Sequence, residues 1–271
     1  MKFAFSTLGV PGMPVADVAA LAAATGYQGV ELRTHPEEPV HLGLTTPERQ
    51  AVVKEFGQAG VEILTVAGYA RVAAAGDDGP VLQELDQLVR LAGDLGAPFV
   101  RVFPGGGDQD PSEADAIAAR RLGAAAETAA SAGVRILLET HDSHRTGADV
   151  SRVLGTVGHK HAGALWDVMH PWLGGEDPRT THAGLSPFLG YLQVKDVASR
   201  GDLTPLPLGA GLLPLAECLS LADPDGWVCW EYEKRWYEGA AELPGLLAAG
   251  REHLQGLIRG GARTVRPGPK G

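Results

Sequence analysis

Four times in the first half of the chain, a helical stretch closes on a glycine and a hydrophobic run begins at once. The four junctions are Ala24-Thr25-Gly26-Tyr27-Gln28-Gly29-Val30-Glu31-Leu32, Gln58-Ala59-Gly60-Val61-Glu62-Ile63-Leu64, Asp94-Leu95-Gly96-Ala97-Pro98-Phe99-Val100-Arg101-Val102 and Ala132-Gly133-Val134-Arg135-Ile136-Leu137. Glycine takes the left-handed conformation without steric cost, so each reads as a helix C-cap feeding a strand. The run Phe3-Ala4-Phe5-Ser6 and three later ones, Ala164-Leu165-Trp166-Asp167, Tyr191-Leu192-Gln193 and Trp227-Val228-Cys229-Trp230-Glu231, bring the strands to eight. Strands alternating with helices pair in parallel through right-handed crossovers. The expectation is α/β, a single (β/α)8 TIM barrel.

The segments between the strands agree. From Pro80 to Gly96, Leu82, Leu85, Leu88, Val89, Ala92 and Leu95 keep helical spacing, with Gln83, Glu84, Asp86, Gln87 and Arg90 on the other faces. Thr45-Thr46-Pro47-Glu48 and Asp110-Pro111-Ser112-Glu113 each place a capping residue ahead of a proline, as at the start of outer helices. No Pro/Ser-rich linker divides the 271 residues, so residues 1–258 are read as one barrel. Residues 259–271, rich in glycine, proline and arginine, are read as a disordered tail.

Four of the later runs end in an oxygen-bearing side chain: Glu139, Asp167, Gln193 and Glu231. In a barrel of this kind the C-terminal strand ends converge on one mouth, where active sites lie. Two glutamates, an aspartate and an amide form a hard set that suits Mn²⁺ or Mg²⁺ better than a structural zinc. Each carboxylate taken singly could be a surface or salt-bridge group. Three at the ends of apolar runs point instead to one divalent ion.

The ordered set Glu139-x-His141, Asp167-x-x-His170, Gln193-x-Lys195-Asp196, Pro207-x-Gly209-x-Gly211 and Glu231 resembles the xylose isomerase-like barrels, a group of sugar isomerases, epimerases and related lyases that also includes metal-dependent abasic-site endonucleases. The resemblance spans nearly the whole chain. It implies one divalent ion, Mn²⁺, Mg²⁺ or Co²⁺, held by Glu139, Asp167, Gln193 and Glu231. Gln193 stands where the family carries histidine, which implies weaker binding and a shift toward harder ions. Ala210 departs as well, standing where many relatives have an acidic or amide residue.

Other residues fall around this set. His170, three residues after Asp167, is read as a substrate contact in preference to a loop histidine, and His141, two residues beyond Glu139 and on its side if the strand continues, as a second candidate contact. Period-two geometry turns Lys195 inward, where its charge needs a partner. Arg101 lies in the fourth strand, and Glu31, alternating with Arg33, is read as half of an internal salt bridge. Trp166, Trp172, Trp230 and Trp236 are either walls of a sugar pocket or core.

An ion flanked by two carboxylates stabilises an enediolate, which makes a proton beside a carbonyl removable. Glu139 and Glu231 are the candidate catalytic pair, with His141, His170, Lys195 and Arg101 holding a small sugar, keto-sugar or polyol, phosphorylated or not. The reading is a metal-dependent isomerase or epimerase. A lyase acting through the same enediolate and a non-catalytic binding barrel remain open.

The formal net charge of −10 argues against nucleic-acid partners, and too few strand-end histidines stand ready for a multi-metal phosphodiesterase. At 44% hydrophobic, the chain buries a large core yet has no run long enough to span a bilayer. The first residues do not form a convincing signal peptide, so the cytoplasm is the expected location, with a homo-oligomer left open. Cys218 and Cys229 are read as buried reduced thiols.

Overall fold

The computed structural model describes residues 1–264, with side chains through Gly260. Its elements run β1 (Lys2–Ser6), α1 (Val15–Thr25), β2 (Gly29–Arg33), α2 (Thr46–Ala59), β3 (Glu62–Arg71), α3 (Asp78–Leu95), β4 (Phe99–Phe103), α4 (Pro111–Ser131), β5 (Arg135–Glu139), α5 (Gly147–Val157), β6 (Ala162–Asp167), α6 (Met169–Gly174), α7 (Pro178–Leu185), β7 (Leu189–Val194), β8 (Val197–Ser199), β9 (Asp202–Pro205), α8 (Leu215–Leu221), β10 (Trp227–Trp230) and α9 (Leu247–Thr264). Eight strands close in the order β1-β10-β7-β6-β5-β4-β3-β2, every neighbouring pair parallel. This is the (β/α)8 TIM barrel. The tail expected at 259–271 starts within the bounds of α9, and residues 265–271 lie outside the described part.

Gly26, Gly60 and Gly96 cap α1, α2 and α3 at φ +76°, +66° and +71°, and Gly133, one residue past the cap of α4, has φ +69°. At the other helix ends, the backbone N–H and the hydroxyl of Thr45 both donate to Glu48 at 2.7 Å, and Asp110 accepts from the Ser112 N–H at 2.9 Å. These start and stop signals set the lengths of the outer helices.

Two apolar layers divide the strand residues by parity. Ala4, Leu64, Leu137, Leu165, Tyr191 and Cys229 fill the barrel interior. Their sequence neighbours Phe3, Phe5, Ile136, Leu138, Ala164, Trp166, Leu192, Val228 and Trp230 face the helices. The indoles of Trp166 and Trp230 therefore belong to the outer core and not to a sugar pocket. Both cysteines are buried and unpaired. Among the described residues no helix is long and apolar enough to cross a membrane.

Candidate active site

One pleat above the apolar interior layer, the same parity puts Glu31, Arg101, Glu139, Asp167, Gln193 and Glu231 inside the barrel, each at most 4% exposed. Each stands two residues beyond an apolar interior position or at the matching register. Because parity alone separates inside from outside, a one-residue slip in any strand would swap its polar group for an apolar one.

Ligand oxygens of Glu139, Asp167 and Glu231 lie within 4.8 Å of one another. Lys195 joins them, with its Nζ 2.8 Å from Asp167 Oδ2 and 2.6 Å from Glu233 Oε1, and hydrogen-bonded to Glu231 Oε2. The Arg101 guanidinium reaches Glu139 Oε2 with Nε at 3.1 Å and donates to the Gly68 carbonyl at 3.0 Å. Two of these ion pairs lack hydrogen-bond alignment, so Glu139 Oε2 and Asp167 Oδ2 remain buried without a hydrogen bond, as does Gln193 Oε1. Carboxylate oxygens of Glu139, Asp167 and Glu231 this close together, with an unpartnered amide oxygen on the strand next to Asp167, could hold a divalent cation.

The charge balance agrees. Four buried carboxylates, Glu31, Glu139, Asp167 and Glu231, face two buried cations, Arg101 and Lys195. Burial pushes the Glu139 carboxyl well above its ordinary range, with Glu231 and Asp167 adding repulsion, and pushes Asp167 up to about 6. Burial also acts upward on Glu231, but the Lys195 ammonium and the Arg101 guanidinium hold it below the ordinary carboxylate range. Burial opposes the charge on Lys195, yet Asp167 and Glu231 keep its ammonium well above the usual value. A bound dication would add counter-charge to this set.

A second cluster shares Glu139: its carboxylate, His141 and His170 also offer atoms within 4.8 Å of one another. The two imidazole rings lie 4.1 Å apart between centroids, tilted by 49°. His170 Nε2 is 3.6 Å from Asp167 Oδ2, and burial, with His141 beside it, keeps that imidazole neutral well below the usual histidine range.

Above the carboxylates opens a cavity of about 320 Å³, walled by Tyr69, Phe103, His141 and Trp236, with Arg71 and Glu233 among its polar groups. Trp236 is 54% exposed, with the Arg33 and Arg235 guanidinium carbons 5.5 and 5.7 Å from its ring centroid. His141, Arg101, Glu139 and Glu231 line the cavity. Lys195 stands beside it through its hydrogen bonds to Glu231 and Glu233, and His170 through its contact with His141. Glu31 does not form the expected salt bridge: it accepts hydrogen bonds from Gln193 Nε2, at 2.9 and 3.1 Å, and from the Tyr191 hydroxyl.

Glu233, Tyr69 and Arg71 also line the cavity, beyond the residues expected from the sequence. Period two beyond Glu231 points to Glu233, by the same rule that turns Lys195 inward after Gln193. Tyr69 and Arg71 belong to the far half of β3, which continues seven residues past Leu64, where the short apolar run stops.

Behind the site, Asp196 gathers the loop after β9: its carboxylate accepts from the N–H groups of Gly209 at 2.9 Å, Gly211 at 3.0 Å and Leu213 at 3.2 Å. A Cβ on Gly211 would collide with Asp196 Oδ1 and the Val197 carbonyl. The Lys195-Asp196 and Pro-x-Gly-x-Gly motifs are therefore two halves of one contact.

A family model of xylose isomerase-like TIM barrels matches residues 19–257. No curated protein matches the chain. Among solved structures, the probable 3-DHS dehydratase AsbF, involved in petrobactin synthesis in Bacillus anthracis, is similar at a TM-score of 0.79 and 20% identity, over 94% of this chain and 99% of that one. L-ribulose 3-epimerase gives 0.80 at 15% identity, over 99% and 100%. The IOLI protein with a bound zinc atom gives 0.79 at 18% identity, over 96% and 99%. At these identities the likeness is one of fold. With most of its length matched by the family model, the chain belongs to the xylose isomerase-like TIM barrel family.

Proposed function

We infer that this barrel is a divalent-metal-dependent isomerase or epimerase acting on a small sugar, keto-sugar or polyol. The observation that carries the reading is the convergence of Glu139, Asp167 and Glu231 within 4.8 Å, with buried oxygens of Glu139, Asp167 and Gln193 left without hydrogen bonds. Those four side chains would hold the ion, Mn²⁺ or Mg²⁺ by donor type and Co²⁺ within reach. When bound, the ion supplies electrophilic pull on a substrate carbonyl and its neighbouring hydroxyl, which acidifies the C–H of the hydroxyl-bearing carbon.

The remaining steps belong to the chain. Glu231, held ionised by the Lys195 ammonium and the Arg101 guanidinium, takes the proton from one face of that carbon, leaving an enediolate. Glu139, whose burial favours the protonated carboxyl, returns a proton from the other face. Return to the same carbon inverts its configuration, and return to the neighbouring carbon interconverts aldose and ketose. His141, His170 and Arg101 hold substrate oxygens, while the aromatic walls exclude water from the acidic carbon. The epimerase among the similar structures supports this reading.

A dehydratase shares the first proton transfer and then expels a β-hydroxyl, and the likeness to the probable 3-DHS dehydratase keeps that branch in view. Incubation with Mn²⁺ in D₂O against ketoses, ketoinositols and hydroxy-keto acids separates the branches. Deuterium beside the carbonyl with the formula otherwise unchanged marks an isomerase or epimerase, and loss of water marks a lyase. Absence of exchange throughout, in protein shown to hold metal, would sink enediolate chemistry. The ion's seat is tested by elemental analysis: Asp167→Ala and Glu231→Gln lose it under the present reading. If loss follows His141→Ala instead, the ion sits in the Glu139-His141-His170 cluster, whose nitrogens favour zinc.

A further inference from the structure

Glu31 comes from β2, separated from β7 round the barrel by β1 and β10, and is completely buried. Its two oxygens accept from Gln193 Nε2 at 2.9 and 3.1 Å and from the Tyr191 hydroxyl. The same Gln193 nitrogen donates to Glu231 Oε1 at 3.1 Å. The NH₂ end of the amide is thus held between two carboxylates, which only accept when ionised. Turning the amide over would set its oxygen against both of them. The other end, Gln193 Oε1, is buried with no hydrogen-bond partner.

We propose that Glu31, braced by Tyr191, is a positioning residue that fixes the Gln193 amide with its oxygen toward the metal centre, making a ligand of a side chain that would otherwise bind weakly. The proposal rests on the metal-centre reading above. A free amide presents nitrogen or oxygen with little preference, so ligation by oxygen pays for orienting it. Hydrogen bonds from its NH₂ group to carboxylates fix that orientation in advance and draw electron density toward the oxygen. Partners of this kind behind a metal ligand set its direction and basicity. In this barrel, the acidic partner on β2 compensates for an amide in place of an imidazole.

Glu31→Gln is the decisive variant. It keeps the shape of the side chain, but its own NH₂ can donate to Gln193 Oε1, so both orientations of Gln193 become acceptable. Mn²⁺ affinity, read from the EPR signal of free ion during titration, should weaken about tenfold. Tyr191→Phe, which removes one donor to Glu31 and keeps the packing, should weaken it by a smaller factor, and it carries the test if Glu31→Gln does not fold. Removing a negative charge could weaken cation binding by itself, so the same change is also made in a second background. In Gln193→Met, which has no amide to orient, Glu31→Gln should change affinity by less than about twofold.

Wild-type binding with Glu31→Gln unchanged overturns the positioning role and leaves the metal centre standing. An equal loss on adding Glu31→Gln to wild type and to the Gln193→Met variant also overturns it, because Glu31 would then act as a ligand or a bare charge. Wild type that binds Mn²⁺ no better than Asp167→Ala removes the metal centre itself, and the inference with it.

Discussion

Gln193 combines the two influences that a single position in this barrel can feel: its strand parity and its neighbours. Parity turns it inward, and its neighbours aim its amide. Replacing it by histidine restores the residue implied by the family pattern, and Glu31 would then accept the imidazole N–H. Gln193→His should tighten Co²⁺ and Mn²⁺ more than Mg²⁺, about fivefold for each kcal/mol gained. Parallel titrations check this, and unchanged affinity for all three ions would remove Gln193 from the ligand set. Glu139, Asp167 and Glu231 were legible in the sequence because each ends an apolar run whose parity faces the barrel axis. The partner of Glu31 was not legible, because two strands contribute to it and no spacing along one strand encodes a contact across the barrel. Glu233 lies between these cases: it keeps the parity of Glu231 but stands beyond the strand, where parity is a weaker guide.

At the scale of elements, the connections around the site are tied by few groups. The Asp196 carboxylate satisfies three backbone N–H groups of the 209–213 loop, and Asp196→Ala should cost on the order of 3 kcal/mol in urea unfolding by orphaning them. Gly211→Ala should perturb the same loop from the other side, because its new methyl collides with Asp196. On the outer face, Asp78 at the start of α3 is clasped by Arg120 and Arg121 of α4, with bonds of 2.7 to 2.8 Å. Hydrogen bonds from Arg120 and then Arg121 hold its carboxyl well below the usual aspartate range. A depressed folded-state value contributes stability that is fully present above the unfolded value near pH 4 and fades as pH falls toward the folded one. Asp78→Asn should therefore lower the urea midpoint at pH 7, by a deficit that shrinks steadily as the pH falls below about 4. The α3 stripe and the glycine caps were readable from periodicity. The β8–β9 hairpin and the short α6 were not, since elements this short carry too little period to register.

For the molecule as a whole, a ligand bound only by the folded state adds its binding free energy to stability. Mn²⁺ at a hundredfold excess over its dissociation constant adds about 2.7 kcal/mol, a rise on the order of 5–10 °C in midpoint for a chain of this size. Calorimetry with and without Mn²⁺ should show that rise in wild type and lose it in Asp167→Ala, and no rise in wild type would count against a resident ion. The barrel itself was legible because its repeat is written along the chain, helix by helix and strand by strand. The seam is a different kind of feature. Lys2 pairs with Trp227 and Phe5 with Trp230, so the contact that closes the sheet joins the first barrel strand along the chain to the last. Until β10 leaves the ribosome, β1 and β7 remain unpaired edges, open to other chains, and Glu231 has not yet joined the other carboxylates. A growing chain therefore acquires its closed wall and its complete site together, late, and a nascent chain stopped before Trp227 has neither.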